Sequence, residues 1–160
     1  MPIRLLESRD IDSILAIQSA CPEIAQWKSA DYERVVHGEM SGWIFETVAE
    51  QTAAEQKSGT PHVGNIAGFL VARHVAHEIE ILNFAIRPDA RRHGSGAALL
   101  ECALSWARTF SAEQAILEVR SANATALRFY DRHQFQIVGR RRNYYVAPND
   151  DALLLSRPLT

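Results

Sequence analysis

The spacing of apolar positions along this chain changes period several times, and each change predicts an element boundary. Ile3 to Leu6 reads as a short strand. Ile11, Ile14, Leu15 and Gln18 then fall on one helix face, behind Ser8 and Asp10, either of which can cap it. A second helix starts after Ser29, carries Tyr32, Val35 and Val36, and ends at Gly38 or Gly42. Trp43 to Val48 reads as a strand, and the polar stretch Glu50 to Pro61 as a long hairpin loop. Val63 to Val75 and Glu78 to Ile86 are two further strands, joined near Ala76-His77. From Gly96 to Phe110 the pattern is helical, with Leu99, Cys102, Ala103, Trp106 and Phe110 on one face and Glu101, Ser105 and Arg108 on the other. Ala115 to Val119 is a strand and Ala124 to His133 a short helix. Strands near Phe135 to Gly139, Asn143 to Val146 and Ala152 to Ser156 complete the chain. Such an order makes an α/β fold, a mixed sheet between helices, without the regular alternation of a doubly wound one.

Composition sharpens the expectation without changing it. The 160 residues, 47% hydrophobic and 22% charged, suit a single domain spanning 1–160 with its own core, and exclude wholesale disorder. A net charge of −2 argues against general nucleic-acid binding, so no direct nucleic-acid partner is expected. Cys21 and Cys102 form no C-x-x-C motif, the start of the chain has no apolar signal region, and no apolar run reaches membrane-spanning length. These features point to a reduced, cytoplasmic protein with no membrane partner. His37, His62, His74, His77 and His133 share no metal-ligand spacing with cysteines or carboxylates, and no metal is expected.

The most informative stretch is Arg91-Arg92-His93-Gly94-Ser95-Gly96-Ala97, between a strand and a helix. Glycines at such a turn let backbone N–H groups face a ligand, and the helix they open adds its unpaired N–H groups and the positive end of its dipole. The stretch reads either as a tight loop without a ligand or as an anion site, whose commonest occupant is phosphate. A P-loop would need Lys after Gly96, where Ala97 stands, and a dinucleotide fingerprint would need Gly at Leu99.

The loop resembles the pyrophosphate-binding segment of the GNAT N-acetyltransferase superfamily, R/Q-x-x-G-x-G/A, with Arg91, Gly94 and Gly96 matching. Phe84-Ala85-Ile86, with Pro88 after it, is similar to the family's fourth strand. Downstream, Leu117-Glu118-Val119-Arg120 through Asn123, Ala126 and Tyr130 resembles the ribosomal-protein-alanine N-acetyltransferases, as does Arg141-Arg142-Asn143-Tyr144-Tyr145. Trp27 matches the tryptophan of that subgroup's early F-P-W-S motif.

The resemblance implies a fold of about seven strands with helices on both faces and a splay between strands 4 and 5. It implies acetyl-CoA as acyl donor, lying along Phe84, Ala85 and Ile86. The pyrophosphate would rest on Arg92, His93, Gly94, Ser95, Gly96 and Ala97, with a further contact from Asn123. Glu118 would accept the proton of the attacking amine and Tyr130 would protonate the leaving thiolate. An N–H near Ile86 would face the oxyanion. The acceptor implied is a protein N-terminal α-amine, that of a ribosomal protein beginning with alanine. Lysine side chains, small amines and a non-catalytic acyl-CoA-binding module are the alternatives.

Each residue also has a plain structural reading. Glu118 alternates with apolar strand neighbours as a solvent-facing residue would, Tyr130 sits among apolar neighbours on a helix, and Asn123 is a natural cap. Arg140-Arg141-Arg142 suits a protected sheet edge or the flank of an acceptor groove, with an RNA patch behind these. The chain departs from the family where His133-Gln134-Phe135 replaces Leu-Gly-Phe, so that either a non-glycine residue takes a left-handed cap at a cost of about 1 kcal/mol or the helix ends differently. It departs again where Ala25-Gln26-Trp27-Lys28 replaces F-P-W-S, bordering the expected acceptor groove.

Overall fold

A computed structural model describes residues 2–47 and 65–160 of the chain. The elements follow in the order β1 (Ile3–Leu5), α1 (Ile11–Ser19), α2 (Ser29–Val36), β2 (Ser41–Thr47), β3 (Asn65–Val75), β4 (Glu78–Ile86), α3 (Ser95–Thr109), β5 (Gln114–Arg120), α4 (Ala124–Arg132), β6 (Gln136–Val146) and β7 (Asn149–Pro158). The strands form one seven-stranded sheet in the order β1-β2-β3-β4-β5-β7-β6. Every neighbouring pair is antiparallel except β4 and β5, which run parallel. The loop read from Glu50 to Pro61 lies outside the described residues.

Alternation along the strands sends apolar side chains to both faces, and a helix pair covers each. On one face, Leu70, Ala72, Ile79, Ile81, Leu117 and Leu155 pack under Leu99, Leu100, Ala103 and Leu104 of α3 and under Tyr130 of α4. On the other, Ile44, Phe69, Val71 and Ala85 pack under Ile11, Ile14 and Ile17 of α1 and Tyr32 and Val35 of α2. Each fully buried Leu or Ile contributes about 1.5–3 kcal/mol over exposure, so these two layers hold the sheet between its helices.

The sheet is not regular where it matters. Opposite β4, Val71 pairs with Asn83 but Ala72 pairs with Ile81, so Leu82 is an extra residue in β4. The bulge reverses the alternation. Ile79 and Ile81 face α3, whereas Asn83 and Ala85 face α1 and α2, and Phe84 and Ile86 turn toward α3 and α4. The same device explains a difference from the sequence reading. The stretches Phe135–Gly139 and Asn143–Val146 are one strand, β6, kinked between Arg141 and Tyr145, where Asn143 has φ 51°. β6 forms the sheet edge, and β7 inserts between it and β5.

Helix ends obey local rules. α2 ends on Gly38 at φ 89°, with Glu39 N–H bonded to Arg34 O and Gly38 N–H to Val35 O. α4 ends the same way on Gln134 at φ 66°, with Phe135 N–H bonded to Tyr130 O at 3.0 Å. The start of α1 differs from expectation, since neither Ser8 nor Asp10 caps it through a side chain. Instead the 3-10 turn Ser8–Asp10 runs into the helix, Asp10 accepts the Glu7 N–H at 2.8 Å, and Ser8 bonds Glu33 of α2.

Candidate active site between the fourth and fifth strands

Pairing of β4 with β5 covers only Glu78–Ile81 against Gln114–Leu117. Beyond Ile81, β4 stays bonded to β3, and β5 stays bonded to β7, while the two part from each other. The β5-facing edge of Phe84, Ala85 and Ile86 is left without a strand partner, and a free strand edge is suited to an extended chain of amides. Gly68 of β3 backs this edge, where no side chain fits. A Cβ there would lie 2.4 Å from Ile86 Cδ1 and 2.6 Å from Ala85 O.

At the far end of the edge, the chain makes a 3-10 turn at Pro88–Ala90 and enters α3. Arg92 has φ 67° and Gly94, the N-cap, φ 85°, a conformation that favours glycine. The first bond of the helix is Ala98 N–H to Gly94 O at 3.0 Å, so the N–H groups of Ser95, Gly96 and Ala97 precede it and point out of the helix start. Arg92 and His93 are exposed, with no side-chain partner among the described residues. Arg91 is turned elsewhere. It donates to Ile86 O at 3.1 Å and pairs with Glu23 at 2.9 Å, bracing the end of β4 against the segment between α1 and α2. These free N–H groups, with the Arg92 guanidinium and the exposed His93 ring beside them, fit a diphosphate, and the open strand edge leading to them fits a ligand that carries amides.

Glu118 is the first β5 residue past the last pair with β4. Its neighbours Leu117 and Val119 are buried under α3, so Glu118 points to the α1/α2 face. There it forms an ion pair with Arg141 of β6, Nε to Oε1 at 2.9 Å. Tyr145 lies close by, under the Arg120 guanidinium at 4.1 Å from the ring centroid. Burial pushes the Tyr145 phenol up, and the Glu118 carboxylate adds to that.

Tyr130 comes to the opening from the opposite face. Its ring packs against Phe84 at 6.4 Å and Phe135 at 5.5 Å between centroids. Its hydroxyl has no hydrogen-bond partner among the described residues, and burial raises its pKa well above the usual phenol range. Asn123 caps α4, with its Oδ1 accepting the Ala126 N–H at 3.1 Å, which leaves its Nδ2 available.

The sequence-predicted residues therefore converge. Phe84–Ile86 form the free edge, Arg92–Ala97 stand at its end, and Glu118 and Tyr130 flank the gap from opposite faces. Sequence reasoning missed the partner of Glu118, although Arg141 lay in a motif already singled out. It also missed Asn83, whose side chain is turned by a bulge that leaves no sign in the residue pattern. Arg91, counted in the glycine-loop motif, is a brace.

Comparison with known proteins agrees with this geometry. Residues 12–135 match the acetyltransferase (GNAT) family. The chain is similar to [ribosomal protein bS18]-alanine N-acetyltransferase of Escherichia coli K12, with 33% identity over 99 residues, 61% of this chain and 67% of that one. It is similar to an N-alpha-acetyltransferase of Sulfolobus acidocaldarius, with 28% identity over 169 residues, 98% of this chain and 92% of that one. Among solved structures, Ard1 from Thermoplasma volcanium superposes with a TM-score of 0.79 at 26% identity, covering 99% of this chain and 97% of that one. With its parted parallel strands, open helix start and this family match, the chain belongs to the acetyltransferase (GNAT) family.

Proposed function

We propose that the chain transfers an acetyl group from acetyl-CoA to the N-terminal α-amine of a protein, directly and in a ternary complex. The favoured acceptor is a ribosomal protein that begins with alanine, as the name of the bS18-alanine relative suggests. One observation carries this reading. The gap between β4 and β5 has a carboxylate, Glu118, on the α1/α2 face and a buried phenol, Tyr130, on the α3/α4 face. A proton acceptor and a proton donor on opposite sides of one opening are what amine attack and thiolate departure require.

Acetyl-CoA supplies an activated thioester when bound. The chain's own residues do the rest. The free edge of Phe84–Ile86 pairs with the amides of the donor's arm and holds its reactive end at the gap. The N–H groups of Ser95, Gly96 and Ala97, with Arg92 and His93, hold its pyrophosphate, and Asn123 Nδ2 adds a contact from α4. An α-amine is mostly protonated near neutral pH, so Glu118 takes its proton, directly or through water. An N–H near Ile86 receives the charge that develops on the attacked carbonyl oxygen. Tyr130, kept protonated by its burial, delivers a proton to the departing sulfur.

The test is CoA release from acetyl-CoA across short peptides differing in their first residue, with free lysine and polyamines as controls. Turnover with alanine-first peptides that Glu118→Gln abolishes, while acetyl-CoA binding is kept, is the expected result. Turnover only with lysine or polyamines overturns the acceptor, and no turnover with any of them despite acetyl-CoA binding overturns the enzymatic reading.

A further inference from the structure

Three side chains outside the transfer groups form one hydrogen-bonded chain on the α1/α2 face. Gln18 of α1, Tyr32 of α2 and Asn83 of β4 are 5%, 0% and 4% exposed. Asn83 Nδ2 donates to the Ala25 carbonyl and to the Tyr32 oxygen, both at 3.1 Å. The Tyr32 hydroxyl donates to Gln18 Oε1 at 2.6 Å. Gln18 Oε1 also accepts the Trp27 N–H at 3.0 Å, and its Nε2 donates to the Trp27 carbonyl at 2.8 Å. The segment between α1 and α2 is thus suspended at Ala25 and Trp27 from β4, at the residue just before the free edge.

The proton order in this chain is forced. Gln18 uses its oxygen as acceptor because its nitrogen serves the Trp27 carbonyl, so Tyr32 donates to it and can only accept from Asn83. Asn83 cannot flip, since that would set its oxygen against the Ala25 carbonyl. As a result, Asn83 Oδ1 is enclosed with no partner among the described residues. An enclosed, unpaired acceptor is destabilising, while the Nδ2 of the same amide serves the Ala25 carbonyl and the Tyr32 oxygen, which a leucine would leave without that donor. The amide beside the free edge thus ties the α1–α2 segment to β4 at Ala25 and at Tyr32.

The bulge at Leu82 puts Asn83 on the same face of the sheet as Glu118, and the α1–α2 segment forms the β4-side wall of the opening on that face. The opposite face is filled by α3 and α4. The wall therefore borders the approach to Glu118 from the β4 side, opposite Arg141 of β6. Resting on the proposed acetyl transfer, we infer that Asn83, acting through Tyr32 and Gln18, is a positioning residue for the acceptor: the network sets how far the Ala25–Trp27 wall stands from β4 and so shapes the acceptor entrance.

Tyr32→Phe breaks the chain at its middle by removing the hydroxyl that fixes Gln18 Oε1 under the Trp27 N–H, while Asn83→Leu removes the β4 anchor at Ala25. In steady-state assays with an alanine-first peptide, each variant should raise the peptide KM by about tenfold, equivalent to about 1.4 kcal/mol. The kcat should stay within about twofold and acetyl-CoA affinity should not move. A kcat that falls with the folded fraction at unchanged KM, or a loss of acetyl-CoA affinity in place of peptide affinity, overturns the inference. If the unmodified protein acetylates only lysine or a polyamine, the α-amine reading fails, and the same KM comparison with that acceptor decides the inference separately. If it acetylates none, hydrogen exchange decides: the Trp27 amide should exchange faster in Tyr32→Phe, and unchanged protection overturns the network's hold on the wall.

Discussion

Arg141 on β6 reaches past β7 to pair with Glu118 on β5, Nε to Oε1 at 2.9 Å. With side chains 54% and 28% exposed, the pair adds little stability, and in the proposed transfer its effect would be on chemistry, because the guanidinium occupies an oxygen of the proposed proton acceptor. Arg141→Gln should change unfolding free energy by less than about 1 kcal/mol. It should raise turnover at low ionic strength. Added salt should speed the unmodified protein, by screening the pair, and leave the variant unaffected. Identical salt profiles would remove Arg141 from the proton path.

Tyr130→Phe separates a chemical role from a packing one. The hydroxyl has no partner among the described residues, so its removal should leave melting temperature unchanged or slightly raised. Turnover should fall by about a hundredfold or more, the scale of a lost general acid, with acetyl-CoA binding intact by calorimetry. A drop in stability at full turnover would return Tyr130 to the core.

Gly68→Ala tests the free edge from behind. The new Cβ meets Ala85 O at 2.6 Å and Ile86 Cδ1 at 2.4 Å, and the backbone carbonyl is the harder to move. The variant should lose about 1–3 kcal/mol of stability from overpacking and bind acetyl-CoA more weakly, because the displaced residues are those proposed to pair with it. Unchanged affinity in a folded variant would mean that the edge does not carry the donor.

Gln134→Gly should stabilise the chain by about 1 kcal/mol, since Gln134 holds φ 66° at the end of α4. The bonds Phe135 N–H to Tyr130 O and Gln134 N–H to Asp131 O do not involve its side chain. Thermal denaturation of the single variant measures the effect directly.

Acid sensitivity should centre on Asp10, 3% exposed. Burial favours its neutral form, but Arg4, bonded at 2.7 and 2.8 Å, and the Glu7 N–H outweigh this and hold its pKa below the usual carboxylate value. A carboxyl depressed in the folded state contributes stability above its unfolded pKa of about 4, and that contribution is lost as pH falls through the folded value. Asp10→Asn should lower stability at pH 7 by about 2–3 kcal/mol and flatten the acid limb of the curve below about pH 4. A parallel acid limb in the variant would assign the loss to other carboxylates.

Much of this was legible in the residues. Periodicity located α3 and its glycine start, because amphipathic spacing and backbone freedom are local properties. His133-Gln134-Phe135 leaves open a left-handed cap without glycine or a different helix end, and Gln134 takes the left-handed one at φ 66°. The residues along β4 and β5 that resembled a known pattern do sit at one gap. Less was legible at β6, where a kink joins two predicted strands, and at Arg91, where a motif residue serves as a brace.

The order of apolar and polar residues was enough for the elements other than β6, and the glycines for the turn that opens α3, since each depends on neighbours within a few positions. It was not enough for the end of β4–β5 pairing at Ile81–Leu117, the reversal of alternation at Leu82, the reach of Arg141 to Glu118 or the Gln18–Tyr32–Asn83 chain. Those depend on register between strands and on contacts between segments far apart in the chain. A one-residue shift of register turns a side chain to the other face without altering a single residue type.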